Sequence, residues 1–501
     1  MITNLITDKW LPVVRKNGKI EEIRPCDITS DFYTNPVIRF NIARPDFNGA
    51  LVQFLIGLVQ IAFPPQNITD CQKYYNTPPN PEELQSAFLT VQEAFNIQGD
   101  GPLFMQDFNL LTTCKNKNIG QLFIEEPGDQ TLNNNTDLFI KRNRFENVTL
   151  QEAIIALYTL QQNAPSGGAG HRTSIRGGGP LTTLLIPPID ELTLWRTVWM
   201  NISLSNEILP TEKNLIFPWL SATCTSVNNE PTTPENSHNL QCFWGMPRRI
   251  RLIIENNLVK KYKTETYGVN YISTIWKHPL TPYRAKNEKC FPVLTPKNWT
   301  YENWLDIAIS NDKNFHRATC IQENNCGIAN ARIWCFGYET DNMKAISFVE
   351  SITPYYNNSK REFIEIIENM VLRAATVAGF LVSAINQTQQ PKSKYGSGAK
   401  REFWARTENK FFQFVEQQFN SFELNSKPDE KIIQDWFVFL NTMALTIFSE
   451  YVEVKHVRNF ETQVKTKHNL KLKLFKKIEN ENLTNHNSVC TLKIKYTDLF
   501  F

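Results

Sequence analysis

The chain reads as an α+β protein, with a large mixed α/β N-terminal domain over residues 1–355 and a C-terminal four-helix bundle over residues 356–501. Three observations predict this. Asn17-Gly18 lies between two β-rich runs, a strong hairpin signal, so the chain opens as sheet. Short alternating runs with long connections continue through residue 350, and after Pro354 come four long segments of helical periodicity. Short connections between those segments favour antiparallel neighbours.

Taken in order, residues 5–23 form the opening hairpin. Asn48 is placed to cap the apolar run after it, which Pro64-Pro65 stop, so a buried helix is expected there. A second helix is expected from Pro81 to Phe95, with Glu82 and Glu83 favourable to its dipole. Residues 116–147 are polar and irregular, and a loop of that length is functional or disordered. A helix from Leu150 to Gln162 then leads into a glycine-rich stretch, and residues 181–186 leave it as a strand. Residues 187–350 hold eight of the eleven tryptophans, expected in the core. Two basic groups lie there, Arg248, Arg249 and Arg251, then Lys260, Lys261 and Lys263; each reads as a solvated face or a binding site. The helical segments are 360–387, 400–424, 429–452 and 457–478, with Tyr395–Gly398 and Ser426–Pro428 as separators. From Lys455 to Lys477 there are eight Lys/Arg and one acid, Glu461, a bias that suits phosphates or a solvated face.

Lys+Arg 53 against Asp+Glu 50 gives a net charge of only +3, so any nucleic-acid role must come from local patches. The ten cysteines contain no CxxC pair, which argues for a reducing compartment. His316, Cys320, Cys326 and Cys335 match no standard zinc spacing, and buried cysteine thiols are favoured over a metal site; no metal or other cofactor is expected. The N-terminus has no secretory pattern, and the most apolar stretch, about Ala50 to Pro64, is shorter than the roughly twenty residues a membrane span needs. A cytoplasmic protein with no membrane partner is the expectation. No repeat is visible at a period of about 20–50 residues.

The residues from Asn163 to Pro180 include six glycines in two clusters, with His171, Arg172, Thr173, Ser174 and Arg176 between them. Such a loop offers bare backbone and positive charge to a phosphate or a base edge, or it is a tight crossing of backbones with no ligand. Walker A, GxSxG, HExxH and zinc-deaminase patterns are absent, and no acidic cluster for a two-metal nuclease stands out. Binding is favoured. A phosphate- or nucleotide-dependent enzyme using residues 166–179, with Arg172 and Arg176 on the phosphate, is the alternative.

Five collinear motifs narrow the choice: LITDKWLPV (5–13), LFIEEPGD (122–129), NAPSGGAGHRTSIRGGGPLTTLL (163–185), WKHPLTPY (276–283) and FGYETDN (336–342). In this the chain resembles, over essentially its whole length, the CasA family, the large subunits of the type I-E CRISPR surveillance complex Cascade. The resemblance implies a non-catalytic subunit that recognises the protospacer-adjacent motif through the DNA minor groove, promotes duplex opening and R-loop formation, and helps recruit a helicase-nuclease. Implied partners are other Cascade subunits, the 5′ handle of the guide RNA and double-stranded target DNA. By position, the family's glycine loop falls on Ser166, Gly167, Gly168 and Ala169. Its glutamine finger falls on Asn342, between Asp341 and Met343, where asparagine is a methylene shorter and the wedge role passes either to a closer loop or to Met343. Lys261 and Lys263 are the nearest candidates for its lysine finger. Phe123, Ile124 and Glu125 match the loop that docks on the guide-RNA handle and neighbouring subunits, with the apolar pair inserting between partners and glutamate replacing the family's amide. Lys392, Lys394, Lys400 and Arg401, with Lys465, Lys467, Lys471 and Lys473, are candidates for DNA backbone contacts.

Overall fold

The helix Pro45–Ala62 is buried on nearly every side from Asp46 to Ile61, and the core of its unit is assembled around it. It begins earlier than Asn48. Pro45 takes the first helical position, where its missing N–H costs nothing, and Asp46 supplies the acidic first turn. Around Phe54, the rings of Trp10, Phe95, Phe104, Tyr158 and Trp244 approach edge-on with centroids 5.3–5.9 Å away. Edge-to-face contacts of this kind add about 0.5–1.5 kcal/mol each beyond area burial.

This computed structural model describes residues 2–109, 114, 116–137, 142, 144–207, 209–309, 312–341, 344–356, 360–388, 395–425, 427–453 and 460–480. Two compact units result, Met1–Trp299 with Asp306–Asn357, and Thr300–Leu305 with Asn358–Phe501.

In the first unit the opening hairpin forms as expected. Leu11–Arg15 pairs antiparallel with Ile20–Ile23 on one side and Val37–Phe40 on the other, and Gly18 takes a φ of 85° in the turn. The helix expected from Pro81 to Phe95 is shorter: Pro81–Leu89, capped by the Asn80 side chain, gives way to a separate 3₁₀ turn at Gln92–Phe95. Residues 116–147 are less irregular than their composition suggests, since they include the strand Asn116–Asn118 and the short helix Asp129–Asn133. The helix Leu150–Asn163 starts from a capping box, Thr149 and Glu152 satisfying each other's backbone N–H groups. Of three further antiparallel sheets among the described residues, two bear on the glycine-rich stretch. In one, Arg332–Asp341 lies between Thr182–Ile186 and Lys344–Pro354; in the other, Leu258–Glu265 pairs with Arg249–Glu255, Asn116–Asn118 and Val148–Thr149. Of the tryptophans at 195–334, all but Trp299 are buried. Cys320, Cys326 and Cys335 are buried thiols, with Cys320 Sγ 3.3 Å from the Thr183 carbonyl.

The second unit carries four long helices, Arg361–Thr388, Tyr395–Asn425, Glu430–Glu453 and Phe460–Asn480. On the first of these, Phe363, Ile367, Met370, Ala374, Leu381 and Ile385 form a buried stripe at helical spacing. Trp436 Nε1 donates to the Met370 carbonyl at 3.0 Å. Thr300–Leu305 joins this unit through Tyr301, which stacks on Phe411 at 4.2 Å and whose hydroxyl lies 3.0 Å from Thr407 Oγ1. Tyr395–Gly398, expected as a separator, instead forms the first turn of the second helix. There the glycines allow close approach: a Cβ on Gly396 would lie 2.5 Å from Asn386 Oδ1, and one on Gly398 3.2 Å from the Tyr451 hydroxyl.

Three helices, Pro45–Ala62, Arg361–Thr388 and Glu430–Val452, are long and apolar enough to cross a membrane by length and composition, contrary to the expectation that no stretch reaches that length. Their apolar residues have partners within the fold, since 83% of the first is buried and the other two bury one face.

Gly49 carries no Cβ because the Phe336 ring would lie 2.6 Å from it. At an exposed helix position Gly→Ala stabilises by about 0.5–1 kcal/mol. Here the sign reverses: Gly49→Ala is expected to destabilise by about 1–3 kcal/mol through overpacking, read as a lower urea midpoint. An unchanged or raised midpoint would show that the ring yields freely.

Candidate nucleic-acid interface

The glycine-rich stretch is two structures in one. Its second half is an internal brace. Arg176 is completely buried and donates to Thr182 Oγ1 (2.8 Å), Thr281 Oγ1 (3.2 Å), Gln53 Oε1 (3.0 Å) and the Gln162 carbonyl (3.3 Å). Burial pulls its guanidinium down to about 10, still well above neutral pH. Gly179, at φ 75°, lies against the strand Arg332–Asp341, where a Cβ would stand 2.9 Å from both the Tyr338 carbonyl oxygen and Thr340 Cγ2.

The first half is a presented tip. Ser166, Gly167, Gly168 and Ala169 are all exposed, and a Cβ on Gly168 would meet nothing within 4 Å. Both flanks of this tip are tied down. Arg248 Nη2 donates to the Pro165 carbonyl at 2.6 Å, and its Nη1 lies 2.6 Å from His171 Nδ1. A guanidinium can only donate, so Nδ1 is the unprotonated ring nitrogen. Desolvation of that ring, then the charges of Arg248 and Lys117, hold the His171 pKa below its ordinary value. Arg172 is committed as well, donating through Nε to Ser226 Oγ at 2.7 Å and through Nη2 to Asn229 Oδ1 at 2.9 Å. Both arginines of the loop therefore brace it.

Two other expected elements converge here. The strand carrying Lys261 (exposed) and Lys263 (half-buried) ends at Glu265, and the next residues meet the loop: Tyr267 N donates to the Gly170 carbonyl at 2.8 Å. Through Gly179, the loop also rests on the strand that leads to Asp341. Asp341 is exposed and 3.7 Å from Lys297 Nζ, and it pairs in register with Lys344. Asn342 and Met343 lie outside the described residues. A bulge between Glu339 and Thr340 re-aims the end of this hairpin.

Phe123, Ile124 and Glu125 sit elsewhere on the unit, over the start of the helix Pro45–Ala62. Phe123 is buried, not offered to a partner as expected: its ring stacks on Phe145 at 3.9 Å, with Arg44 above it. Ile124 is half-buried. Glu125 takes a two-pronged contact from Arg44, with Nη1 at 2.5 Å and Nη2 at 3.0 Å, and those bonds lower its pKa against the opposing effect of burial.

In the helical unit Lys400 is half-buried and Arg401 exposed in the first turns of Tyr395–Asn425; Lys392 and Lys394 lie outside the described residues. On Phe460–Asn480, Thr466, Leu470 and Leu474 form the buried stripe. At about 100° per residue, Lys467 and Lys471 fall on one flank of that stripe and Lys465 and Lys473 on the other. The basic helix thus offers two rails and not one basic face. Among the described residues no group of three His, Cys, Asp or Glu is placed to hold a metal ion.

Sequence reasoning missed the clamp. Arg248 and Arg249 read as a solvated face or a binding site, whereas Arg248 holds the loop and Arg249 Nε donates to the buried Asp107 carboxylate at 2.5 Å. Lys117, whose charge reaches His171, gave no signal beyond being basic.

With this geometry in view, comparison with known proteins is decisive at the family level. Residues 4–447 match the model of the CRISPR-associated protein Cse1 family. The chain belongs to the Cse1 family. Solved structures agree in fold. Thermus thermophilus CasA (Cse1) matches with a TM-score of 0.71 at 15% identity, over 94% of this chain and 98% of that one. Thermobifida fusca Cse1 matches with a TM-score of 0.66 at 15% identity, over 94% and 98%. A chain of a CRISPR RNA-guided surveillance complex matches with a TM-score of 0.71 at 14% identity, over 94% and 99%. At these identities the Cse1 likeness to solved structures is one of architecture, and the residues must be argued from their own placement.

His278 lies under the loop, fully buried, with Nδ1 accepting from Leu280 N at 3.2 Å and its pKa held well below 6.5 by burial and then by Arg176. Below about pH 6.5 the unfolded chain binds a proton that the folded chain refuses, so stability falls as pH drops, by up to about 1.4 kcal/mol per pH unit from this residue. Denaturant midpoints at about pH 7.5, 6.5 and 5.5 should decline, with a shallower decline in His278→Gln. A flat wild-type profile would contradict the buried neutral imidazole.

Proposed function

We propose that this Cse1-family chain is the non-catalytic large subunit of a type I-E CRISPR RNA-guided surveillance complex, and that it recognises the protospacer-adjacent motif from the minor groove. The observation that carries the reading is the bare, exposed tip Ser166–Ala169, braced from within and flanked by cations. The minor groove is narrow and its hydrogen-bond code degenerate, so a reader gains more from close backbone approach than from long side-chain forks. Lys261 and Lys263 supply phosphate or groove contacts beside the tip, and the hairpin end at Asp341, Asn342 and Met343 wedges the strands apart, promoting duplex opening and R-loop formation.

The remaining assignments complete the proposal. Ile124 and Glu125, on the surface above buried Phe123, dock on the 5′ handle of the guide RNA and on neighbouring subunits. Lys400, Arg401 and the two rails of Phe460–Asn480, with Lys392 and Lys394, follow DNA backbones, and the subunit helps recruit the helicase-nuclease. Target sequence is left to guide–target pairing. The work is done in the cytoplasm without a cofactor. The competing phosphate-enzyme reading loses its premise, because Arg172 and Arg176 are both engaged inside the protein.

Two glycine substitutions separate recognition from folding. Gly168 has open space and no positive φ, so Gly168→Val should leave the thermal midpoint and complex assembly unchanged while lowering the preference for a correct over a scrambled motif at least tenfold. Gly179→Ala, strained at φ 75° and against backbone, should cost about 1–3 kcal/mol of stability. Full discrimination by assembled Gly168→Val complexes would overturn the site.

A further inference from the structure

Arg44 joins parts of the first unit that are far apart in sequence. Its Nη1 and Nη2 hold the Glu125 carboxylate, Nη2 also donates to Asp46 Oδ2 at 2.6 Å, and the same Asp46 oxygen accepts the Tyr338 hydroxyl at 2.5 Å. The guanidinium lies 4.6 Å from the Phe47 ring centroid and 5.2 Å from that of Phe123. Asp46 belongs to the first turn of the core helix Pro45–Ala62, a fixed point. Tyr338 stands three residues before Asp341, on the strand that carries the hairpin end, with the bulge at Glu339/Thr340 between them. One continuous polar chain therefore runs from the loop at 123–125 to the base of the hairpin.

We propose that Arg44, Asp46 and Tyr338 are positioning residues that couple the docking loop to the motif-reading hairpin, so that seating Glu125 on its partner sets the pose in which the hairpin meets DNA. This rests on the roles given above to the loop and the hairpin. Three features make the chain a coupler as well as a brace. Asp46 is 6% exposed, so a link broken inside it leaves a charge or hydroxyl poorly solvated and is felt by the next member. A single oxygen of Asp46 serves both Arg44 and Tyr338, so a shift of Arg44 towards or away from Glu125 changes how strongly that oxygen holds the Tyr338 hydroxyl. Beside the chain lies a cavity of about 330 Å³ bounded by Arg44, Asp46, Glu125, Arg144, Tyr338 and Phe348, which gives these side chains room to move without displacing packed neighbours. Burial and the Asp46 carboxylate push the Tyr338 hydroxyl well above its ordinary range, so it remains the donor.

The test is a double-mutant cycle in the reconstituted complex, using Tyr338→Phe and Arg44→Lys. The first removes one hydroxyl and keeps the ring on Phe348, 5.1 Å away; the second keeps the charge and loses the fork. The readout is the ratio of affinities for correct and scrambled motif duplexes at fixed salt, with thermal midpoints alongside. Each single variant should lower the ratio about fivefold or more, with assembly retained, and the double variant should lower it no further. Multiplying effects would mean two independent roles and overturn the coupling. Lower midpoints with an unchanged ratio would make the chain a brace only and also overturn it. A wild-type ratio of one would instead overturn the motif-reading function itself, an outcome visible before any variant is made.

Discussion

The buried guanidinium of Arg176 is the constraint on which the glycine-rich loop depends. Its four oxygen partners are neutral, and they come from the helix Pro45–Ala62, the helix Leu150–Asn163, the strand Thr182–Ile186 and Thr281. Burying a cation without a carboxylate costs several kcal/mol, offset only when nearly every donor finds an acceptor. That arrangement fixes the second glycine cluster, and with it the position of the first. The tip Ser166–Ala169 is bare yet placed, because Arg248 and Arg172 hold its flanks from outside the core and Arg176 holds its root within it.

Much of the architecture was legible in the sequence, where the signals are local. Asn17-Gly18 specified its hairpin, the apolar run after Thr149 its helix, and the four C-terminal segments theirs. Errors came where a local signal had two readings. Asn48 looked like a cap, whereas Pro45 and Asp46 already began that helix. Tyr395–Gly398 looked like a breaker, yet Gly396 is there to clear Asn386.

The glycine-rich loop stood out in the sequence, but the contacts that hold it did not. Six glycines marked the loop, but which of its residues face outward depends on partners far along the chain: Ser226 and Asn229 for Arg172, Gln53 and Thr281 for Arg176, and Pro165 for Arg248. No pattern within an eighteen-residue window can report such contacts. Phe123 misled for the same reason, since Phe145 and Arg44 take up its ring. The near-neutral net charge of +3 fits this division, with cations concentrated at a braced tip and along two helix flanks.

The central claim is that the tip at Gly168 meets the minor groove of the motif. It is tested most directly by placing a photo-crosslinking amino acid at position 168, where open space accepts it, and irradiating the assembled complex on duplex DNA. The account predicts crosslinks confined to the motif base pairs, lost when the motif is scrambled and reduced when a minor-groove ligand is added first. Crosslinks spread over the duplex irrespective of motif, or found on a protein subunit instead of DNA, would contradict it.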